Sequence, residues 1–234
     1  MKPVGIIIPT QIEAGVLVRR ISERKETAAQ SRLFYEGFIN KKPVVFCLCG
    51  IGKTNAAHGV TLLIERFGPS IVYMIGVAGA YPSSGLEIGE SVVAEREVYG
   101  DEGLMLGTEF KGMAGLGLAL ADVGGKRYYN EFPLLVPDAL KDCRHKGTFV
   151  TVSSCTGTLR LGREMEQRYG AICENMEGAA IAHICLLNGV PAAEIRGISN
   201  IIGDREGKPL DRSAILKASE NVQEYFLERL FRRD

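Results

Sequence analysis

The strongest constraint on this chain is an alternation along its length. Short apolar runs rich in β-branched residues, beginning with VGIII at residues 4–8, alternate with longer stretches of helical period. Unbroken apolar runs suit strands covered on both faces, and intervening helices supply that cover. The pattern therefore predicts an α/β fold, a sheet with helices on both sides. Strands are predicted near 4–8, 43–49, 70–76, 91–98, 147–152 and 191–199, and helices near 13–22, 53–67, 134–143, 159–169, 177–189 and 212–231. At 234 residues and 46% hydrophobic, the chain is long enough for one substantial core and short for two, so a single domain over 1–234 is predicted. Residues 100–130 lie in a glycine-rich, poorly periodic excursion where no regular element is predicted and which could cover a ligand site.

Charge excludes whole classes of partner. Lys plus Arg and Asp plus Glu both total 28, so there is no basic field to attract nucleic acid or anionic lipid, and a small neutral or weakly charged ligand is expected. The first apolar run is far too short to span a membrane and no signal-peptide cleavage pattern follows it, which predicts a cytoplasmic protein. Six cysteines without a CxxC pair, and only three histidines, predict buried thiols and no metal site.

Several motifs sit at predicted strand exits, where open α/β sheets bind ligands. CGIGKTN at 49–55 ends like a phosphate-binding loop, but Cys47 stands where its first glycine belongs and Asn55 stands at the third position of a dinucleotide fingerprint. A plain strand-to-helix turn is the expectation. MIGVAGAY at 74–81 puts glycines in an apolar strand, which marks backbone closely approached by a neighbouring helix or by a ligand, the strand exit favouring a ligand. Glu13 and Glu177 each stand near a predicted helix start, either complementing the helix dipole or facing the ligand end of the sheet. EIRGISNIIGD at 194–204 is a strand with a polar exit at Ser199 and Asn200.

GVAGA, NMEGAAIAHIC and EIRGISN together resemble the nucleoside phosphorylase and nucleosidase superfamily, and the combination is similar to the futalosine hydrolases of menaquinone biosynthesis. The resemblance runs from VGIII to the final helix. It implies a three-layer α/β/α sandwich around a mixed, twisted sheet, cleavage of a purine from ribose without a cofactor, and self-association as a homo-oligomer. By the same resemblance Glu13 matches the carboxylate that activates the attacking water, Met176 and Glu177 match the pair that holds the ribose, and Arg196 supports that part of the site. Ala78, Gly79, Ser199 and Asn200 match positions beside the sugar and purine, and Cys155 or Thr156 is expected near the base.

Two details sharpen the expectation. Met74 and Val77 stand where phosphorolytic relatives carry an arginine and a serine for phosphate, so hydrolysis is expected, because an uncompensated dianion beside apolar groups is costly. Asn200 stands where adenine-specific nucleosidases carry Asp. An amide offers a fixed donor and acceptor that match a 6-oxopurine, which implies hypoxanthine as the base and assigns Asn200 a part in stabilising the leaving group. The 100–130 excursion is a candidate source of contacts to the aromatic carboxylate of futalosine.

Overall fold

The structure, a computed structural model, describes residues 1–204 and 210–232. The elements in chain order are β1 (Val4–Ile8), α1 (Gly15–Arg20), β2 (Ser22–Ala29), β3 (Arg32–Ile39), β4 (Lys42–Leu48), α2 (Lys53–Phe67) and β5 (Ile71–Ala80). They continue with β6 (Ser91–Tyr99), β7 (Gly103–Leu106), β8 (Glu109–Gly112), α3 (Met113–Leu116), β9 (Ala121–Val123), β10 (Lys126–Tyr128) and β11 (Glu131–Pro133). The last third holds β12 (Lys146–Thr151), α4 (Leu159–Tyr169), β13 (Ala171–Asn175), α5 (Gly178–Leu187), β14 (Ala192–Ile201) and α6 (Arg212–Leu230).

Strand β5 is the hub of a mixed sheet. It runs parallel to β1 and β14 and antiparallel to β13. Strand β14 also pairs antiparallel with β6, and β6, β12 and β13 lead back to β5, so five strands close into a ring. Strands β1, β4, β3 and β2 extend the sheet on one side of the ring and β11 on the other. Accumulated strand twist is what lets one sheet curl until both ends of the path β14–β6–β12–β13 meet β5.

Alternation along β1 shows how the layers form. Ile6 and Ile8 pack into a core with Leu17 of α1 and Val222 and Phe226 of α6, whereas Ile7 packs with Val60 and Leu63 of α2 and Ile181 of α5. Successive side chains on a strand point to opposite faces, so one apolar run feeds two cores. The predicted α/β/α sandwich around a mixed sheet is the architecture found.

Three local expectations are corrected. The helix predicted near 134–143 is extended chain with one 3-10 turn at Asp138–Leu140, because Pro137 biases Val136 away from helix. The first helix is a 3-10 turn at Ile12–Ala14 followed by the short α1. The 100–130 excursion contains two small hairpins, β7–β8 and β9–β10, rather than irregular loop. Among the described residues, no helix is long and apolar enough to cross a membrane.

Helix α6 lies so close on β14 that Gly197 has no room for a side chain. A Cβ there would overlap the carbonyl oxygen of Ala218 and stand 2.9 Å from its carbonyl carbon. Backbone cannot yield as a flexible side chain can, so Gly197→Ala is expected to destabilise the protein by about 2–3 kcal/mol and to lower Tm by roughly 4–12 °C. Thermal and denaturant unfolding of the variant check this, and an unchanged Tm would contradict the packing described.

Candidate active site

The exits of β1, β5 and β14 meet the junction between β13 and α5 around a cavity of about 290 Å³. Its wall includes Glu13, Ala78, Gly79, Cys155, Met176, Glu177, Ser199 and Asn200, each of which the sequence places in the site. Arg196 is not part of that wall. It is buried behind Glu177, so its part in any sugar contact runs through that carboxylate.

Arg196 organises the floor of the site. Its Nε donates to Glu194 Oε1 at 2.7 Å, its Nη1 to Glu177 Oε2 at 3.3 Å and to the Val77 carbonyl, and its Nη2 to Asn175 Oδ1. Burial alone would weaken its hold on the proton, but Glu194 and Glu177 outweigh burial and raise its pKa above the ordinary arginine value. The other oxygen of Glu177 accepts the Gly52 N–H at 3.0 Å. CGIGKTN is thus a strand-to-helix turn whose backbone binds a carboxylate of the protein itself, with Gly52 at φ 93°.

The glycines of MIGVAGAY make room for side chains reaching across from β14. A Cβ on Gly76 would stand 2.6 Å from Arg196 Nη1 and 2.9 Å from Glu13 Oε1, and one on Gly79 would stand 2.9 Å from Asn200 Nδ2. At these two positions the close neighbours are side chains rather than a packed helix. Of them, Glu13 and Asn200 face the cavity, and Arg196 lies behind it.

Glu13 is held from two sides. Its Oε2 accepts the Thr10 hydroxyl at 2.6 Å and its Oε1 accepts the Val77 N–H at 3.0 Å. Burial raises its pKa above the usual carboxylate value, with Thr10, Val77 and Arg196 acting against that rise and Glu177 adding to it. A base raised in this way is better matched to accepting a proton near neutral pH.

Asn200 owes its position to a bulge. The pairing of β14 with β5 slips between Ile198 and Asn200, leaving Ser199 as the extra residue and turning Asn200 to the cavity. Ser199 Oγ lies 3.0 Å from Asn200 Oδ1 and 3.2 Å from the Ala78 carbonyl. With its carbonyl turned to Ser199, the Asn200 amide presents an N–H donor beside Gly79.

Other functional groups escaped the sequence reading. Glu174 is a buried carboxylate on the cavity wall, accepting from the Thr156 N–H, the Thr156 hydroxyl and the Tyr81 hydroxyl. Thr156 therefore holds Glu174 and is itself off the wall, whereas Cys155 is on it, with Sγ 3.6 Å from Met176 Sδ. Asn175 accepts the N–H groups of Glu177 and Gly178, capping α5 and fixing the Met-Glu turn. Glu194 could have been found from its spacing, since residues two apart on a strand share a face and Arg196 is two residues away. Nothing in 100–130 lines the cavity, so the proposed cover and carboxylate contacts do not come from there within this chain.

Among the described residues the cavity wall carries no lysine or arginine, while Glu13, Glu174 and Glu177 face it. Ile12, Ile51, Leu210 and Ile215 add apolar surface to the wall. No three His, Cys, Asp or Glu side chains are grouped to hold a metal among the described residues. Anionic groups beside a sugar and a donor beside a base are the arrangement that stabilises a cleaving N-glycosidic bond. Because Arg196 neutralises buried carboxylates, Arg196→Met is expected to cost about 3–5 kcal/mol by leaving them uncompensated. Urea unfolding measures this, and a loss below 1 kcal/mol, roughly that of an exposed pair, would contradict it.

Known proteins resemble this chain over most of its length. A family model described as the phosphorylase superfamily matches residues 3–231. A futalosine hydrolase of Thermus thermophilus is 38% identical over 166 residues, covering 69% of this chain and 71% of the relative. A 5'-methylthioadenosine/S-adenosylhomocysteine nucleosidase of Halalkalibacterium halodurans is 30% identical and covers 87% of each chain. In fold, the chain matches the 5'-methylthioadenosine/S-adenosylhomocysteine nucleosidase of S. pneumoniae, solved with a transition-state inhibitor, at a TM-score of 0.81 over 99% of this chain and 100% of that one, with 23% identity. The chain belongs to the phosphorylase superfamily.

Proposed function

We propose that this enzyme, a nucleosidase like its relatives, hydrolyses the N-glycosidic bond of futalosine and releases hypoxanthine, a step of menaquinone biosynthesis. The observation that carries the choice of base is the Asn200 amide, turned to the cavity by the Ser199 bulge with its carbonyl toward Ser199. Its N–H suits N7 or O6 of a 6-oxopurine, both of which accept. The futalosine hydrolase of Thermus thermophilus supports the same reading.

In the proposed reaction the bond between the sugar C1 and purine N9 breaks, its electron pair passing to the base. The sugar becomes oxocarbenium-like, and Glu177 stabilises the developing positive charge while Asn200 hydrogen-bonds the departing purine. Water then forms a bond to C1 and gives a proton to Glu13, whose carboxylate is fixed by Thr10 and Val77. The purine anion takes up a proton from solvent and Glu13 returns its proton to solvent, so the products are the neutral free base and the sugar with a new hydroxyl. Hydrolysis is favoured over phosphorolysis because no lysine or arginine among the described residues lines the cavity to meet phosphate.

A second reading has its own support. The relative matching 87% of this chain is a 5'-methylthioadenosine/S-adenosylhomocysteine nucleosidase, and the apolar surface of Ile12, Ile51, Leu210 and Ile215 suits a thioether tail. It makes adenine the released base, from methylthioadenosine, S-adenosylhomocysteine or aminodeoxyfutalosine. Purified protein incubated separately with futalosine and with methylthioadenosine distinguishes the two. Hypoxanthine release from futalosine at the higher kcat/KM is the expected result, and preferential adenine release would establish the second reading instead.

Glu13→Gln is expected to lower kcat by about 10²–10⁴. In the wild type, activity should fall as pH drops through the raised pKa of Glu13, because only the ionised carboxylate accepts a proton. The fall is expected above the ordinary glutamate range, and a profile flat down to about pH 4.5 would remove Glu13 from the role of base. Asn200→Asp should shift preference toward 6-aminopurine nucleosides, since a protonated carboxyl donates to N7 while its other oxygen accepts from an amino group. Equal loss with both bases would instead assign Asn200 a structural role.

A further inference from the structure

Behind the cavity lies a second acid that the proposed chemistry does not use. Glu97 of β6 is fully buried, and its carboxyl group lies against that of Glu194, also fully buried. The two crowd above Gly178, where a Cβ would overlap Glu97 and stand 2.6 Å from Glu194 Oε2. Glycine at the first turn of α5 is thus what admits the pair.

Glu194 Oε1 accepts from Arg196, but Oε2 has no N–H or O–H donor among the described residues unless Glu97 brings one. Glu97 itself accepts the Thr151 hydroxyl at 2.8 Å and the Asn175 amide. Arg196 is the only cation bonded to Glu194 among the described residues, and it is shared with Glu177. Two adjacent carboxylates away from water cannot both be ionised at acceptable cost, and Glu97, the one without a guanidinium beside it, is the one placed to keep a proton.

We propose that Glu97 carries a proton and acts as a positioning residue: its carboxyl donates to Glu194, which fixes Arg196, and Arg196 in turn fixes the Glu177 carboxylate at the cavity. Its other link runs through Asn175, whose amide it accepts and whose carbonyl caps α5 at Glu177 and Gly178. Glu97 thereby supports Glu177 from the side-chain end and from the backbone end. Burial and the Glu194 charge, in that order, raise its pKa well above the usual value, consistent with a retained proton. The titratable groups around it are Glu194 on β14 with Arg196 beyond, Cys173 on β13, Tyr81 after β5 and Tyr99 on its own strand.

The assignment requires a nucleosidase but not a particular base, and one arm of its test needs no substrate. Infrared spectra of wild type and Glu97→Gln at about pH 8, where ordinary carboxylates are ionised, should differ by a protonated-carboxyl carbonyl band present only in the wild type. In the second arm kcat is measured on futalosine and on methylthioadenosine, using whichever the wild type cleaves. Glu97→Leu should lower kcat by about 10–100-fold through misplacement of Glu177. Glu97→Gln, which keeps a neutral donor, should recover most of that loss. Circular dichroism and Tm show whether each variant is folded. Absence of the wild-type band overturns the proposal, as does wild-type activity in Glu97→Leu or equal loss in Glu97→Gln and Glu97→Leu.

Discussion

A buried guanidinium must be neutralised, and in this protein that requirement shapes the site. Arg196 is bonded to Glu194, Glu177, Asn175 and the Val77 carbonyl, which between them belong to β14, the β13–α5 junction and β5. Losing any partner would leave charge without compensation in low dielectric, so the elements carrying those partners are held in one arrangement. The closed ring of strands makes this possible, because the sheet curls back until β13, reached from β14 through β6 and β12, also meets β5. Gly76 and Gly178 are the concessions that the arrangement demands of the backbone.

The chemistry follows from the same electrostatics. Arg196 offsets negative charge on the hidden side of Glu177, while the cavity side presents carboxylates, an amide and apolar surface. Such carboxylates suit developing positive charge on a sugar. Glu13 stands beside this network, fixed by Thr10 and Val77, as the role of base proposed for it requires.

Much of this was legible in the chain. Strands with unbroken apolar runs, such as β1 and β5, and helices with clear turns, such as α2, α4 and α6, announce themselves because burial on both faces or on one stripe dictates their residues. The hairpin of β2 and β3 does not. Its first strand, SERKETAA, is a polar edge strand with no alternation, and its turn uses Gln30 and Ser31 at positive φ rather than the usual Asn-Gly pair. The site residues at strand exits were readable from residue type and resemblance. Glu97 and Glu174 were not, since a glutamate in a strand reads as solvent-facing until tertiary structure supplies its partners, and a bulge such as that at Ser199 leaves no single-residue signature.

Activation of water by the carboxylates of this cavity, as proposed, is read from turnover in heavy-oxygen water with the released sugar analysed by mass spectrometry. The structure predicts one labelled oxygen on C1 of the sugar and a rate unaffected by added phosphate. A sugar 1-phosphate as product, formed only when phosphate is present, would contradict it.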